Sequence, residues 1–255
     1  MADVTRNTLR EFLGDTTLSK ALDLFVEDEG VYRAGIRVSN LYLGEENLYY
    51  LHSAFPTNSD SVFFGPDTYL YLEFLKAAHP KPRTVVDVCC GAGAGAIHIA
   101  RQFPNAKVLG LDLNQKALDL AAVNSQHAGV QVEFKQSDLF SESPDDIDLI
   151  ISNPPYIASA EDVAVYANGG ASGLELSLRI VDEGLRKLAA GGLLMIYTGV
   201  AISLSGKNPF REYLKDLEVL EYRILHPDMW PEEIGKGTYV DVGRIEVVGV
   251  IIRKS

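Results

Sequence analysis

The sequence predicts an α/β fold in which a seven-stranded, mainly parallel sheet carries helices on both faces, preceded by a small N-terminal extension of helices and a β-hairpin. Two observations support this prediction. From residue 82 onward, short apolar runs typical of buried strands alternate with segments whose apolar residues recur at helical spacing. The chain can also build one full core, since it has 255 residues and 47% of them are hydrophobic.

The elements of this region follow in chain order. Short apolar runs predict strands at residues 84–88, 107–111, 130–134, 147–152, 193–198, 219–225 and 245–252. Helical spacing between them predicts helices at residues 93–102, 115–127, 174–189 and 209–217. No helical pattern separates the last two strands, so we expect them to pair antiparallel at one edge of the sheet.

The N-terminal part has a different pattern. Residues 5–28 carry apolar side chains at helical spacing, broken at Gly14, and predict two short helices. Residues 35–39 and 48–52 flank a Gly-Glu-Glu-Asn connection and predict a β-hairpin. Pro66 is expected to open a helix that runs to residue 78, because proline fits a first helical turn. We therefore divide the chain into residues 1–62 and residues 63–255.

Charge and composition narrow the function classes. The net charge of −12 and the pI near 4.8 disfavour a large nucleic-acid surface, which is normally basic. The two cysteines, Cys89 and Cys90, are adjacent and offer no disulfide framework, which is typical of a reducing compartment. Residues 188–206 carry no charge, but their glycines favour a short buried strand and a loop over a membrane span. We expect a cytoplasmic protein with no membrane segment.

A glycine-rich turn joins the first predicted strand to the first helix of the sheet. Glycines at such a turn let the backbone approach a ligand closely. Gly91, Gly93 and Ala96 loosely satisfy the dinucleotide-binding fingerprint, and Asp112 follows Gly91 at about the expected distance. A nucleotide-type cofactor is one interpretation of this turn, and an ordinary strand–helix connection is the other.

Three carboxylates lie at or just after the ends of successive predicted strands, and they favour a cationic ligand. Asp87 would repel a pyrophosphate but attract an amino group, although it could also cap the next helix. Asp112 can accept hydrogen bonds from both hydroxyls of a ribose, and Asp138 can accept one from an adenine amino group; a helix cap and a surface loop are the alternatives. Together they suit a sulfonium nucleoside better than an anionic dinucleotide.

The tetrapeptide Asn153-Pro154-Pro155-Tyr156 ends the strand at residues 147–152. The two prolines fix the backbone and favour extended conformations before them. The Asn153 side chain and the Pro154 carbonyl would then be fixed acceptors beside the aromatic ring of Tyr156. Such a site suits a planar NH2 group, whereas the same four residues in isolation could form a simple turn.

These motifs resemble those of the class I S-adenosylmethionine-dependent methyltransferases with an Asn-Pro-Pro-Tyr motif, and among them the release-factor (protein glutamine) methyltransferases. The likeness covers about residues 62–253 and includes DVCCGAG at 87–93, SDLF at 137–140 and the glycine-rich segment 169–175. It implies a Rossmann-like methyltransferase sheet with S-adenosylmethionine as cofactor. It also implies that the tetrapeptide is catalytic, and that the cofactor contacts Phe64, Thr68, Asp87, Cys89, Gly91, Gly93, Asp112, Leu113, Asp138, Leu139 and Asn153.

Two departures from that family bear on the substrate. The family has glycine where this chain has Cys89, and it has an all-helical substrate domain where this chain has a predicted hairpin. We expect residues 1–62 to recognise the substrate and residues 63–255 to catalyse the reaction. The connection 226–243, with Met229 and Trp230, is either a lid or a packed loop.

The resemblance implies methylation of a planar nitrogen, and the first hypothesis for its acceptor is a glutamine side chain of a protein. The alternatives are an adenine amino group in RNA or DNA, which the acidic charge disfavours, and a small molecule. From other classes, a nicotinamide oxidoreductase and a non-catalytic cofactor-binding protein stay open. No metal site is expected, because His52 and His98 have no acidic or cysteine partner at ligand spacing.

Overall fold

The structure, a computed structural model, describes residues 4–7, 10, 25–43, 46–54, 59–77, 81–158 and 169–255. In these ranges no helix is both long enough and apolar enough to cross a membrane.

The N-terminal part contains short antiparallel sheets. Its strands are β1 (Val4–Thr5), β2 (Phe25–Asp28), β3 (Val31–Ala34), β4 (Ile36–Leu43) and β5 (Glu46–Ser53). The first three pair in the order β1-β3-β2, and β4 pairs with β5. The predicted hairpin is therefore confirmed. The helical prediction was wrong for residues 25–28, which form a strand, and most of the two predicted helices lies outside the described residues.

The predicted seven-stranded sheet is confirmed. Its strands are β6 (Thr84–Val88), β7 (Lys107–Asp112), β8 (Glu133–Gln136), β9 (Ile147–Ser152), β10 (Leu188–Ser203), β11 (Glu218–His226) and β12 (Val242–Arg253). They lie in the order β11-β12-β10-β9-β6-β7-β8. Strand β12 runs antiparallel to both β10 and β11, while the other neighbours are parallel. The last two strands thus pair as expected, with β12 one position in from the edge.

Helices cover both faces of this sheet. They are α1 (Pro66–Leu75), α2 (Ala94–Gln102), α3 (Gln115–His127), α4 (Glu175–Lys187) and α5 (Pro209–Leu214). One buried cluster joins Val85 and Ile151 of the sheet to α1 and α2, and the other joins Val86 and Ile150 to α4 and α5. Neighbouring strand residues point to opposite faces, which explains why β6 and β9 carry consecutive apolar residues.

Several boundaries differ from the prediction. Strand β8 begins three residues later than expected, because it is an edge strand with mostly exposed side chains and a weak apolar pattern. Strand β10 is sixteen residues long, since its second half pairs with β12 beyond the length of its parallel neighbour. Helices α1 and α5 each end three residues early, at Leu75 and Leu214.

The hairpin β4–β5 is fixed to the sheet domain by one buried amide. Asn124 on α3 accepts a hydrogen bond from the Leu51 backbone N–H at 2.8 Å and donates to the Leu51 carbonyl at 3.1 Å. Its side-chain NH2 also donates to the Ala92 carbonyl in the glycine-rich turn, at 2.9 Å. The side chain of Asn124 therefore connects the hairpin to the glycine-rich turn.

Candidate active site

A cavity of about 930 Å³ lies where the parallel strands end. Its walls come from the segments that follow β6, β7, β8 and β9, together with the start of α1 and part of the connection 226–243. Ligands of open α/β sheets bind at this carboxyl edge, because loops from several strands converge there. The structure thus brings the glycine-rich turn and the Asn-Pro-Pro-Tyr motif to one cavity.

The glycine-rich turn contains a strained cysteine. Cys89 has a φ of +59°, in the left-handed region that favours glycine, and its half-buried side chain lines the cavity. Burial and the carboxylates of Asp112 and Asp87 raise the pKa of the Cys89 thiol. The thiol is therefore held neutral and unreactive, and the residue contributes shape to this wall of the cavity.

The glycines of the turn have different roles. Gly91 lines the cavity, and its N–H donates to the Asp112 carboxylate at 2.8 Å. Gly93 does not line the cavity: a Cβ added there would lie 2.9 Å from that of Ala121, so this glycine serves helix packing. Gly95, which the sequence prediction missed, does line it, and a Cβ there would lie 2.8 Å from Oδ2 of Asp87.

Asp87 is the most perturbed carboxyl group of the cavity. It is only 1% exposed, and burial raises its pKa to about 7. The Ala96 N–H at 2.8 Å and the Tyr71 hydroxyl at 3.3 Å donate to it and oppose that rise, while the nearby Asp112 adds to it. A cation bound beside Asp87 would stabilise its charged form. The helix-capping alternative is also partly realised, since Ala96 belongs to the first turn of α2.

Asp112 lines the cavity and also holds the chain. Its carboxylate accepts the backbone N–H groups of Gly91, at 2.8 Å, and Asn114, at 2.9 Å. Burial raises its pKa, and these N–H donors limit the rise. Each carboxylate oxygen can accept more than one hydrogen bond, so Asp112 keeps acceptor capacity toward the cavity.

The other predicted cofactor contacts line the same cavity with different exposure. Phe64, Thr68 and Leu139 are buried, whereas Leu113 and Asp138 are exposed. Asp138 also forms an ion pair with Arg179 at 3.7 Å. The surface-loop alternative for Asp138 is therefore consistent with its exposure, although its position at the cavity is as predicted.

All four residues of the Asn-Pro-Pro-Tyr motif line the cavity. Asn153 is half-buried, and none of its side-chain atoms is hydrogen-bonded to a described residue. The Tyr156 ring is buried, and its hydroxyl accepts the Trp230 indole N–H at 3.2 Å. Its ring packs so closely on Gly199 that an added Cβ would lie 2.2 Å from it. The motif therefore combines a side-chain amide that has no hydrogen bond to a described residue with a closely packed ring.

The connection 226–243 contributes to this site. It contains two single-turn 3-10 helices, Pro231–Glu233 and Gly237–Tyr239. Trp230 packs against the core and lines the cavity, and the Tyr239 hydroxyl accepts the Ala158 N–H at 2.6 Å. The packed-loop interpretation is thus consistent with the structure, and the segment also forms a wall of the cavity.

Several cavity residues were not predicted. They include Asp67 and Tyr71 on α1, Arg179 on α4, and Glu232 and Glu233 on the connection. The sequence signal for two of them was their position, since Asp67 lies within the Phe64–Thr68 segment and Tyr71 follows it, whereas tertiary contacts bring the others to the cavity. In the described ranges no group of three or more histidine, cysteine or acidic residues could hold a metal ion.

Comparison with known proteins gives one family and several relatives. The family model "Methyltransferase small domain" matches residues 64–223. A release factor glutamine methyltransferase from Streptococcus pneumoniae is 27% identical over 207 residues, which are 76% of this chain and 74% of the relative. The one from Enterococcus faecalis is 34% identical over 173 residues, 62% of this chain and 61% of the relative. The chain spans about half the length of others, such as that of Geobacter sulfurreducens.

Solved structures share the fold at lower identity. The tRNA m1G37 methyltransferase of M. jannaschii has a TM-score of 0.57 at 17% identity, over 90% of this chain and 60% of that one. The 16S rRNA N2 G1207 methyltransferase of T. thermophilus, solved with AdoMet and guanosine, has a TM-score of 0.55 at 17% identity, over 98% of this chain and 63% of that one. At such identities the likeness concerns the fold alone.

Proposed function

The chain belongs to the methyltransferase small domain family, and on that premise we propose that it transfers a methyl group from S-adenosylmethionine to the side-chain amide nitrogen of a protein glutamine. One observation carries the proposal: Asn153-Pro154-Pro155-Tyr156 lines the same cavity as the glycine-rich turn and Asp87. The glutamine acceptor is supported by relatives of 27% and 34% identity that bear the name release factor glutamine methyltransferase.

The residues present fit the cofactor. Asp87 offers a buried carboxylate to an amino group, and Asp112 offers one to ribose hydroxyls. Gly91 and Gly95 let the ligand approach the backbone. Phe64 and Leu139 give apolar walls, and Asp138 lies at the exposed rim. When bound, S-adenosylmethionine supplies an electrophilic methyl group on its sulfonium.

The acceptor nitrogen would be positioned by the tetrapeptide. Asn153 Oδ1 and the Pro154 carbonyl would accept the two N–H groups of the amide, so that the nitrogen presents its face to the methyl group. The ring of Tyr156 would stack on the planar amide and exclude water. Such orientation is worth about 7–11 kcal/mol in favourable cases, and acceptors aimed at the developing positive charge add to it.

Recognition of the rest of the substrate is proposed for residues 1–62. The support is a second cavity, of about 660 Å³, between the hairpin and the connection 226–243. Arg37 and Ser39 of β4 line it together with Tyr69, His226 and Met229. It also shares Phe64 with the larger cavity, so a chain whose glutamine enters the active site could extend along the hairpin.

The test is transfer of labelled methyl from S-adenosylmethionine to a fractionated lysate, sorted into protein, RNA and small molecules. We expect label in protein, located on glutamine by mass spectrometry. The Asn153→Ala variant is the matched control and should give none. Label confined to RNA would replace the glutamine acceptor with an adenine amino group, and label confined to small molecules would also overturn the proposal.

A further inference from the structure

Four side chains meet around Tyr156, the last residue of the tetrapeptide. Asp67, in the first turn of α1, is 5% exposed, and its Oδ1 accepts the hydroxyl of Tyr197 at 3.0 Å. The Tyr156 hydroxyl interacts with the same carboxylate and accepts the indole N–H of Trp230 at 3.2 Å. The rings of Tyr156 and Tyr197 are 6.2 Å apart and tilted by 59°. We name these residues, Asp67, Tyr156, Tyr197 and Trp230, the Asp67 cluster.

The protonation states of these side chains determine which of them donate hydrogen bonds. Burial raises the pKa of both tyrosines, and the Asp67 charge raises them further, so both hydroxyls keep their protons and donate. Burial also raises the pKa of Asp67, while the two hydroxyls and the nearby His226 favour its charged form. A charged Asp67 accepts the hydrogen bond of Tyr197 and attracts the Tyr156 hydroxyl, whose oxygen accepts from Trp230. The cluster thus runs from Asp67 through the two tyrosines to Trp230.

We propose that Asp67 is a positioning residue that fixes the Tyr156 ring and Trp230 as the wall of the acceptor site. This role rests on the proposed function, because it assigns the ring to the acceptor amide. Three contacts fix the ring: Gly199 packs on its face, Tyr197 lies beside it, and its hydroxyl accepts from Trp230. Asp67 holds Tyr197 through a hydrogen bond of 3.0 Å and interacts electrostatically with the Tyr156 hydroxyl. Asp67 itself lies in the cavity wall between Phe64 and Thr68, so one carboxylate links the proposed cofactor and acceptor sides.

The chain offers a direct probe, because Trp230 is its single tryptophan. Its fluorescence therefore reports on this cluster alone, with no acceptor needed. Asp67→Asn places a neutral amide where the carboxylate stood, and Tyr197→Phe removes the hydroxyl that donates to it. The matched control is Tyr213→Phe, which removes a hydroxyl that donates to Asp182 at 2.5 Å outside the cavity.

We expect Asp67→Asn and Tyr156→Phe to shift Trp230 emission to longer wavelength and to increase its quenching by acrylamide. Tyr197→Phe should shift it in the same direction, and Tyr213→Phe should leave it unchanged. Asp67→Asn added to Tyr156→Phe should cause no further shift, because Asp67 acts on Trp230 through Tyr156. Unchanged emission in folded Asp67→Asn and Tyr197→Phe, or additive shifts in the double variant, would overturn the positioning role.

Kinetics separates this role from the proposed function. With a glutamine peptide that wild type methylates, Asp67→Asn should lower kcat by about tenfold or more, since misplacement by about 1 Å can cost a hundredfold. Its KM for S-adenosylmethionine should not change. An unchanged kcat overturns the positioning role and leaves the proposed function intact. Failure of wild type on every glutamine substrate overturns the proposed acceptor, while the fluorescence pattern still supports the cluster.

Discussion

The charge of Asp87 is predicted to destabilise the cofactor-free protein, and Asp87→Asn should reveal the size of this effect. Burial raises the pKa of Asp87 from 3.8 to about 7. The folded state therefore binds more protons than the unfolded state between these pH values, and stability falls as pH rises through this window. At about 1.4 kcal/mol for each pH unit, the full loss above pH 7 is about 4 kcal/mol.

The variant should lack this pH dependence, because asparagine does not titrate. Near pH 4 the two proteins should have similar unfolding free energies, and by pH 8 Asp87→Asn should be the more stable by up to about 4 kcal/mol. It should also bind S-adenosylmethionine about 10 to 100 times more weakly, since a hydrogen bond to a charged group contributes about 1.5–3 kcal/mol. Removing this carboxylate would thus weaken cofactor binding and increase the free energy of unfolding.

Urea unfolding between pH 4 and pH 8 measures the first effect, and isothermal titration calorimetry measures the second. Asp148→Asn is a matched control, because Asp148 also accepts hydrogen bonds from the backbone, in its case from the N–H groups of Arg83 and Thr84, but lies outside the cavity. If the stability difference between Asp87→Asn and wild type does not grow with pH, the burial argument is refuted. Cofactor affinity that survives the substitution would refute the role assigned to the carboxylate.

Three further predictions concern the tetrapeptide and the glycine-rich turn. Asn153→Ala should abolish methyl transfer with cofactor affinity nearly unchanged in calorimetry; equal loss of both would indicate a structural role. Gly199→Ala should cost about 1–3 kcal/mol in urea unfolding and shift Trp230 emission, because its Cβ would meet the Tyr156 ring at 2.2 Å. Cys89→Gly should change unfolding free energy by less than about 1 kcal/mol, since relief of its positive φ offsets lost packing. The buried Cys90→Gly should cost more in the same assay.

The central sheet was predictable because its inner strands carry runs of consecutive apolar residues. Strands β6 and β9 and helix α3 have the predicted bounds, and all three have strong local patterns. The predicted start of the edge strand β8 was three residues too early, because exposed side chains give little apolar signal. Gly93 fits the fingerprint but packs on Ala121, and its contact with the ligand stays a prediction, since spacing alone does not tell a packing glycine from a lining one.

The Asp67 cluster could not be predicted from local pattern. Asp67 and Tyr197 are 130 positions apart, and each has an ordinary local explanation, as a first-turn acid of α1 and an aromatic residue of a buried strand. Their contact depends on how α1 packs on β10, which only the folded chain defines. A sequence motif identifies site residues that are close together in the chain. It does not identify side chains that support the site from other helices and strands.

The glycines around Tyr156 explain why the tetrapeptide and the later glycine-rich segment occur together. A Cβ at Gly169 would lie 2.7 Å from the Tyr156 Cα, and one at Gly173 would lie 2.5 Å from its carbonyl oxygen. Gly199 on β10 makes the same close approach to the ring. Three glycines from two other segments thus enclose one tyrosine, so their lack of side chains is a condition for its position. The tetrapeptide alone could form a turn, and this enclosure is what gives its ring one orientation at the cavity.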